Sequence, residues 1–289
     1  MIKLFLMTQK GFDVLQHLVF SGLSDSISVV ISSNDKNIEN DYYHEIKELC
    51  RINKIGFLDR KELYHISGEY AIAVSWRWLI SGDEKLIVLH DSLLPRYRGF
   101  APLVNSLKNG EKQIGVTALF ASEEYDRGDI ITIEAIQINY PIKIAYAIDE
   151  ISNAYKKCID KIFLAIRSGE QLIGISQNEV EATYSLWLDD EDYQIDWSLD
   201  SFHISRFVDA VGSPYSGAYS LVNGEKLRIL DVEPLPDVVI ENRTPGKVIS
   251  VVDGQPTIVC GHGLLKITNM QREDGSSALP LKKFRTRFT

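Results

Sequence analysis

Residues 2–31, IKLFLMTQKGFDVLQHLVFSGLSDSISVVI, divide into three patterns. Residues 2–7 are a strand-length apolar run. Phe12, Leu15, Leu18 and Val19 then recur at helical spacing, and residues 27–31 form a second, β-branched run. Strand, helix, strand is the opening of a βαβ unit. A second helix is expected over residues 41–54, with Tyr43, Ile46 and Cys50 on one face, followed by short strands at 71–74 and 86–89. Strands alternating with helices imply a Rossmann-like α/β domain whose mostly parallel sheet is covered on both faces. Ligands of such sheets sit beyond the carboxyl ends of the strands, and His90 falls at one such end.

Further along, Pro102 can open a helix running to Lys108, and Asn109-Gly110 can close it with a left-handed cap. Ile144, Ile148, Ile151, Tyr155, Cys158, Ile162 and Ala165 then recur at three-and-four spacing, which predicts a long amphipathic helix over 144–166. Residues 170–182 lack clear periodicity and read as a connector. Beyond them come short strands broken by Asn223-Gly224, Pro245-Gly246 and Asp253-Gly254, with one helix at 201–211. The expected organisation is an α/β domain over 1–182 and a smaller β-rich domain over 183–289.

Composition restricts the function classes. With 45% apolar and 25% charged residues in a chain of 289, two packed cores can be built. No apolar run approaches the roughly 20 residues that span a bilayer, and residues 1–7 lack the features of a signal peptide. Three widely spaced cysteines, Cys50, Cys158 and Cys260, suggest neither a disulfide framework nor a metal site, so a cytoplasmic setting without a metal is expected. A net charge of -9 disfavours a nucleic-acid partner, which needs a basic footprint.

The chemistry concentrates in HDSLLPRYRGFAP (residues 90–102), GVT (115–117) and YDRGDI (125–130). Acid–base chemistry at such a site needs a group that takes up a proton and one that stabilises the charge so formed. His90 at a strand end and Asp126 in an acidic turn can supply these together, Asp126 orienting the imidazole and stabilising its protonated form. Taken alone, His90 reads equally well as a hydrogen-bonded structural residue. Arg98 can bind an anion or brace its loop, and Asp129 can cap the turn that presents Asp126.

These three motifs, at these distances, resemble the folate-dependent formyltransferase family, which includes transfer-RNA enzymes and sugar N-formyltransferases. The resemblance implies a formyltransferase fold, 10-formyltetrahydrofolate as co-substrate, and His90 and Asp126 as catalytic residues. It places Trp76, Arg77 and Trp78, in the loop after the strand at 71–74, against the folate together with Leu94, Asp126 and Asp129. Two tryptophans there also fit core packing. Ser92, Arg96, Arg98 and Gly99 would shape the meeting place of donor and acceptor, and Lys10, just after the first strand, could reach a pyrophosphate from the same rim. The family has an asparagine two residues before the histidine, where this chain has Val88, which cannot donate a hydrogen bond.

Residues 195–198, 214–218 and 223–229 likewise resemble the OB-like C-terminal domain of the longer members. In transfer-RNA formyltransferases that domain contacts nucleic acid. Here residues 181–289 carry eleven Lys and Arg against sixteen Asp and Glu. Residues 32–42 also lack the basic insertion of the transfer-RNA enzymes. A nucleotide-linked deoxy-aminosugar, as used in surface-glycan biosynthesis, is therefore the expected acceptor, with a homodimer as a further possibility. Methionyl-tRNA formylation and a non-catalytic folate or nucleotide-sugar binding protein are the alternatives.

Overall fold

A computed structural model describes residues 1–35, 40–62 and 68–289. Contacts divide it into two compact units. The first comprises residues 1–103, 113–138 and 147–186, and the second residues 104–112, 139–146 and 187–289.

In chain order the elements up to residue 185 are β1 (Ile2–Leu6), α1 (Thr8–Phe20), β2 (Ile27–Ser32), α2 (Tyr43–Ile52), β3 (Phe57–Asp59), β4 (Tyr70–Val74), β5 (Lys85–His90), β6 (Arg98–Gly99), α3 (Pro102–Lys108), β7 (Gln113–Phe120), β8 (Ile130–Gln137), α4 (Ile144–Ser168) and β9 (Tyr184–Ser185). Seven of these strands form one sheet, ordered β3-β2-β1-β4-β5-β7-β8. The first five pair in parallel, and β7 and β8 add antiparallel at one edge. The sheet is thus mostly parallel, as the alternation of strand and helix implied. All five residues of β1 are buried, the pattern of a strand covered on both faces. On one face Phe5, Val29, Ile31, Ala71 and Ala73 make a cluster against which Leu58, Trp76, Ile80, Leu86 and Val88 pack. Leu4, Leu6, Val30, Ile72, Ile87 and Leu89, of opposite parity, are buried as well.

Two boundaries differ from the sequence reading, each for a local reason. Helix α2 starts at Tyr43 rather than 41 because the Asp41 carboxylate accepts the backbone N–H groups of Asp35 at 2.8 Å and Tyr43 at 3.0 Å. It ends at Ile52 because Lys54 turns left-handed at φ 56°. The first unit runs to 186 rather than 182 because residues 183–185 are stitched to residues 95–100. Arg98 N–H donates to the Thr183 carbonyl at 2.9 Å and Phe100 N–H to that of Ser185 at 3.0 Å. Part of the stretch 32–42, where a basic insertion was not expected, lies outside the described residues.

The second unit holds α5 (Ser201–Ala210), β10 (Ala218–Val222), β11 (Glu225–Leu235), β12 (Val248–Val252), β13 (Gln255–Val259) and β14 (Leu264–Arg272). The strands form an antiparallel sheet ordered β10-β11-β14-β13-β12. Its two tightest hairpins are those marked in the sequence. Asn223 and Gly224 stand at φ 53° and 83°, and Asp253 and Gly254 at 51° and 77°, the paired left-handed residues that match strand twist. Asp200 caps α5 by accepting the His203 N–H at 2.9 Å.

Among the described residues no helix is long and apolar enough to cross a membrane. Cys50, Cys158 and Cys260 are buried free thiols, and burial pushes each up to about 12.

Asp209 on α5 makes a pH-dependent prediction. Burial pushes its carboxyl up to about 6, against the pull of Lys143 and with a smaller push from Asp231. A folded-state pKa above the unfolded value means that the neutral acid favours folding at low pH, and that this contribution is lost as pH rises through about 6. Asp209→Asn is therefore expected to stabilise the protein at pH 8 by roughly 1–2 kcal/mol, after allowance for solvent screening. The gain should vanish near pH 4. Chemical denaturation at both pH values checks this, and an equal gain at each would contradict it.

Candidate functional site

The carboxyl ends of β1, β4 and β5 meet where strand order reverses, and the backbone there is under local strain. Thr8, Ser75, Tyr97 and Asp126, none of them glycine, all hold left-handed backbone, at φ 60°, 53°, 59° and 57°. Such residues persist only where their surroundings over-determine them, and they collect at functional sites.

His90 is the last residue of β5 and is 7% exposed. Its Nε2 lies 2.8 Å from the Tyr97 carbonyl oxygen. A carbonyl can only accept, so Nε2 carries a proton and donates it there. Nε2 is thereby engaged, and Nδ1 is the nitrogen left for chemistry. It faces Asp126 Oδ1 at 3.4 Å. The other carboxylate oxygen of Asp126 accepts the Gly99 N–H at 2.8 Å. Gly99 at φ 99° must be glycine, since a Cβ there would sit 2.6 Å from the Ser185 carbonyl oxygen.

Loop 91–99 is pinned from below by Thr117, which pairs with His90 across β5 and β7. The Thr117 hydroxyl donates to the Ser92 carbonyl at 2.7 Å and accepts the Leu94 N–H at 3.1 Å. Ser92 is buried, and its hydroxyl donates to the Arg96 carbonyl at 2.7 Å. Leu94 is buried in the same loop, whereas Arg96 is exposed and lies over the Tyr97 ring at 5.2 Å.

Arg98 is fully buried, and its guanidinium turns away from His90. Nε and Nη2 donate to Gln177 Oε1 at 3.1 and 2.7 Å, and Nη1 and Nη2 grip the two Glu179 oxygens at 2.9 and 2.8 Å. Of the two roles open to Arg98, the geometry realises the brace. Arg98 and then Arg127 hold the Glu179 carboxyl down to about 2. Asp129 Oδ1 accepts the Ser176 hydroxyl at 2.9 Å, which steadies the turn.

Lys10, in the first turn of α1, is buried with its ammonium against Asp91 Oδ2, the residue next to His90. Tyr155 donates its hydroxyl to the other Asp91 oxygen, and burial, with the Asp91 charge beside it, pushes that phenol well above its usual range. Lys10 does stand on the rim of His90, already engaged by a carboxylate.

Trp76, Arg77 and Trp78 form a neighbouring group. Trp76 packs edge-on against Phe5 at 5.1 Å and against Trp78 at 5.2 Å. Arg60 lies over Trp78 at 4.2 Å, and Arg77 Nη2 pairs with Asp35 at 2.8 Å. The tryptophans thus serve as packing, yet the Trp76 indole N–H is buried with no acceptor among the described residues. A planar, acceptor-bearing heterocycle such as a pterin fits a buried donor flanked by aromatic rings. Val88, one alternation before His90 on the same side of β5, packs in the apolar cluster and offers no donor.

Sequence reasoning did not single out Gln177, Glu179, Thr183 or the Asp91–Tyr155 contact. The first three lie in or beside the connector, where no periodicity marks them.

The chain matches the family described as Formyl transferase over residues 61–165 and Formyl transferase, C-terminal domain, over residues 188–287. It is 30% identical over 203 residues to the methionyl-tRNA formyltransferase of Syntrophomonas wolfei, a match covering 70% of this chain and 63% of that protein. The chain spans about three-fifths of the length of the curated relatives it matches. Its fold is similar to that of WlaRD, a sugar 3N-formyl transferase crystallised in the presence of dTDP and 5-N-formyl-THF. There the TM-score is 0.70 and identity 18%, over 92% of this chain and 96% of that one. The N-formyltransferase from Helicobacter canadensis, solved with folinic acid and dTDP-3-aminofucose, matches at a TM-score of 0.69 and 16% identity, over 92% and 98%.

Proposed function

We propose that this chain, which belongs to the formyl transferase family, moves a formyl group from 10-formyltetrahydrofolate to the amino group of a nucleotide-linked deoxy-aminosugar. The observation that carries the reaction is the state of His90. Tyr97 occupies Nε2, so Nδ1 is the base, and Asp126 stands 3.4 Å behind it. Attack by the amine on the formyl carbon releases a proton to Nδ1, the Asp126 carboxylate stabilises the imidazolium so formed, and the bond from the formyl carbon to folate N10 then breaks, N10 taking that proton as tetrahydrofolate leaves. The folate supplies the activated formyl group. Residues 75–78 and the loop around Leu94 would hold it, with the Trp76 N–H as a donor.

Charge supports a small acceptor. Residues 187–289 carry Asp189, Asp190, Glu191 and Asp192 in one run, and a phosphate backbone is repelled by such a surface. The sugar's pyrophosphate would fall to Arg96, the exposed cation of the loop, and to Lys10 where it can exchange Asp91 for phosphate. Methionyl-tRNA formylation is the second reading, favoured by the names of the curated relatives. A binding protein without turnover is the third, and Val88 motivates it.

An intact-mass screen separates the three. Purified protein is given 10-formyltetrahydrofolate with a panel of nucleotide-linked amino sugars and methionyl-tRNA. Gain of one formyl group on a sugar is expected. Formylation of the tRNA alone overturns the charge argument, and folate binding with no transfer favours the third reading. Val88→Asn places a donor two residues before His90, and one oxyanion donor is worth on the order of a hundredfold. A rise in kcat of about tenfold is expected, smaller than that limit because the amide must enter an apolar cluster. An unchanged or lower kcat in a folded variant means the oxyanion is already held by other donors.

A further inference from the structure

We infer that Gln177 is a positioning residue of the formyl-transfer site, holding Asp126 beside His90 by clamping the acidic turn to the loop that follows β5. The inference rests on the reading above only for its effect on turnover.

The geometry is a closed ring. Gln177 Nε2 donates to the carbonyl oxygens of Asp126 and Gly128, each at 2.8 Å. Its Oε1 accepts Arg98 Nε at 3.1 Å and Nη2 at 2.7 Å. The carboxamide therefore uses both its protons and both its lone pairs, and the Arg98 donors fix which end is oxygen. From Arg98 the ring returns through the backbone to Gly99, whose N–H binds Asp126 Oδ2 at 2.8 Å. Asp126 is thus gripped at its backbone through Gln177 and at its carboxylate through Gly99. Only Oδ1 is left to face His90.

The turn's own backbone does not favour this shape. Asp126 sits at φ 57°, a conformation unfavourable for a residue with a Cβ. Gly128 fits so closely that a Cβ would stand 1.7 Å from the Phe120 carbonyl oxygen. A hydrogen-bonded clamp on both neighbouring carbonyls offsets that preference. The His90 to Asp126 distance is already 3.4 Å, and a misplacement of about 1 Å costs on the order of a hundredfold in rate.

Two variants test it. Gln177→Met keeps length and neutrality and removes all four bonds; Gln177→Glu still accepts from Arg98 but cannot donate to the two carbonyls. The first readout needs no turnover: the ring nitrogen chemical shifts of His90 in labelled protein, assigned by their loss in His90→Asn. Gln177→Met should move those shifts toward the ones in Asp126→Asn and should move them no further in an Asp126→Asn background, whereas Gln177→Glu, which adds a charge of its own, is read through kcat. With the acceptor found by screening, kcat should fall about 10- to 100-fold with KM for 10-formyltetrahydrofolate within about twofold. A folded Gln177→Met variant with wild-type His90 shifts, or a change that persists without the Asp126 charge, overturns the inference. Should wild type prove inactive while the His90 shifts behave as expected, the clamp stands and the enzymatic reading falls.

Discussion

His90→Asn is expected to lower the kcat of formyl transfer by about a thousandfold while leaving the protein folded and able to bind 10-formyltetrahydrofolate. A positioned base contributes about 10²–10⁴-fold. Asparagine fills the place of Nδ1 with an uncharged amide, although, being shorter than the ring, it gives up the bond from Nε2 to the Tyr97 carbonyl at 2.8 Å. What it cannot do is take up a proton at the place of Nδ1. Asp126→Asn should cost less, about a hundredfold, since it preserves the acceptor for Gly99 N–H and removes only the charge facing the ring. The double variant should be little worse than His90→Asn alone, because groups that act as a unit are not additive. Single-turnover rates with the acceptor identified by mass screening provide the check. Near-normal rates in His90→Asn would falsify the assignment of the base.

The legible part of this molecule was the part written in local patterns. The run at residues 2–31 declared its βαβ unit because parallel strands buried on both faces must be continuously apolar, and β1 is buried at all five positions. Asn223-Gly224 and Asp253-Gly254 declared their hairpins because few other residue pairs tolerate two left-handed conformations in succession. His90 could be placed at a strand end, and Lys10 on its rim, by winding alone. Apart from His90 and Asp126, partners brought from afar were not legible. Arg98 and Gln177 lie 79 residues apart, and Lys10 and Asp91 lie 81 apart. Neither separation leaves a period in the sequence. The same cause hid the mixed membership of the second unit, where segments 104–112 and 139–146 join residues 187–289 through contacts such as Lys143 with Asp231.

Arg98→Met is expected to destabilise the protein by about 2–3 kcal/mol, a larger change than the one expected for Asp209→Asn. Removing one partner of a buried ion pair commonly costs about 3–5 kcal/mol because the other charge is stranded. The lower figure applies because the Glu179 side chain is 52% exposed and keeps Arg127 at 2.9 Å, so its charge is not stranded. What is stranded is Gln177 Oε1, which loses both its donors, together with the volume that Arg98 fills at 0% exposure. Arg98→Lys should recover less than half of the loss. An ammonium is a single point and cannot serve Gln177 and the two Glu179 oxygens from one plane. The pH dependence supplies the control. Arg98, more than Arg127, holds the Glu179 carboxyl at about 2, below its usual 4.5. A folded-state pKa lowered in this way gives stability that is present above 4.5 and lost as pH falls toward 2. The gap between wild type and Arg98→Met in urea midpoints should therefore be full at pH 7 and narrow on acidification through that window. With two compact units, the transition to follow is the one that carries the fluorescence of Trp76 and Trp78, which belong to the first. A gap that stays constant from pH 7 to pH 3 would mean that Arg98 stabilises by packing alone and that the Glu179 pair contributes nothing.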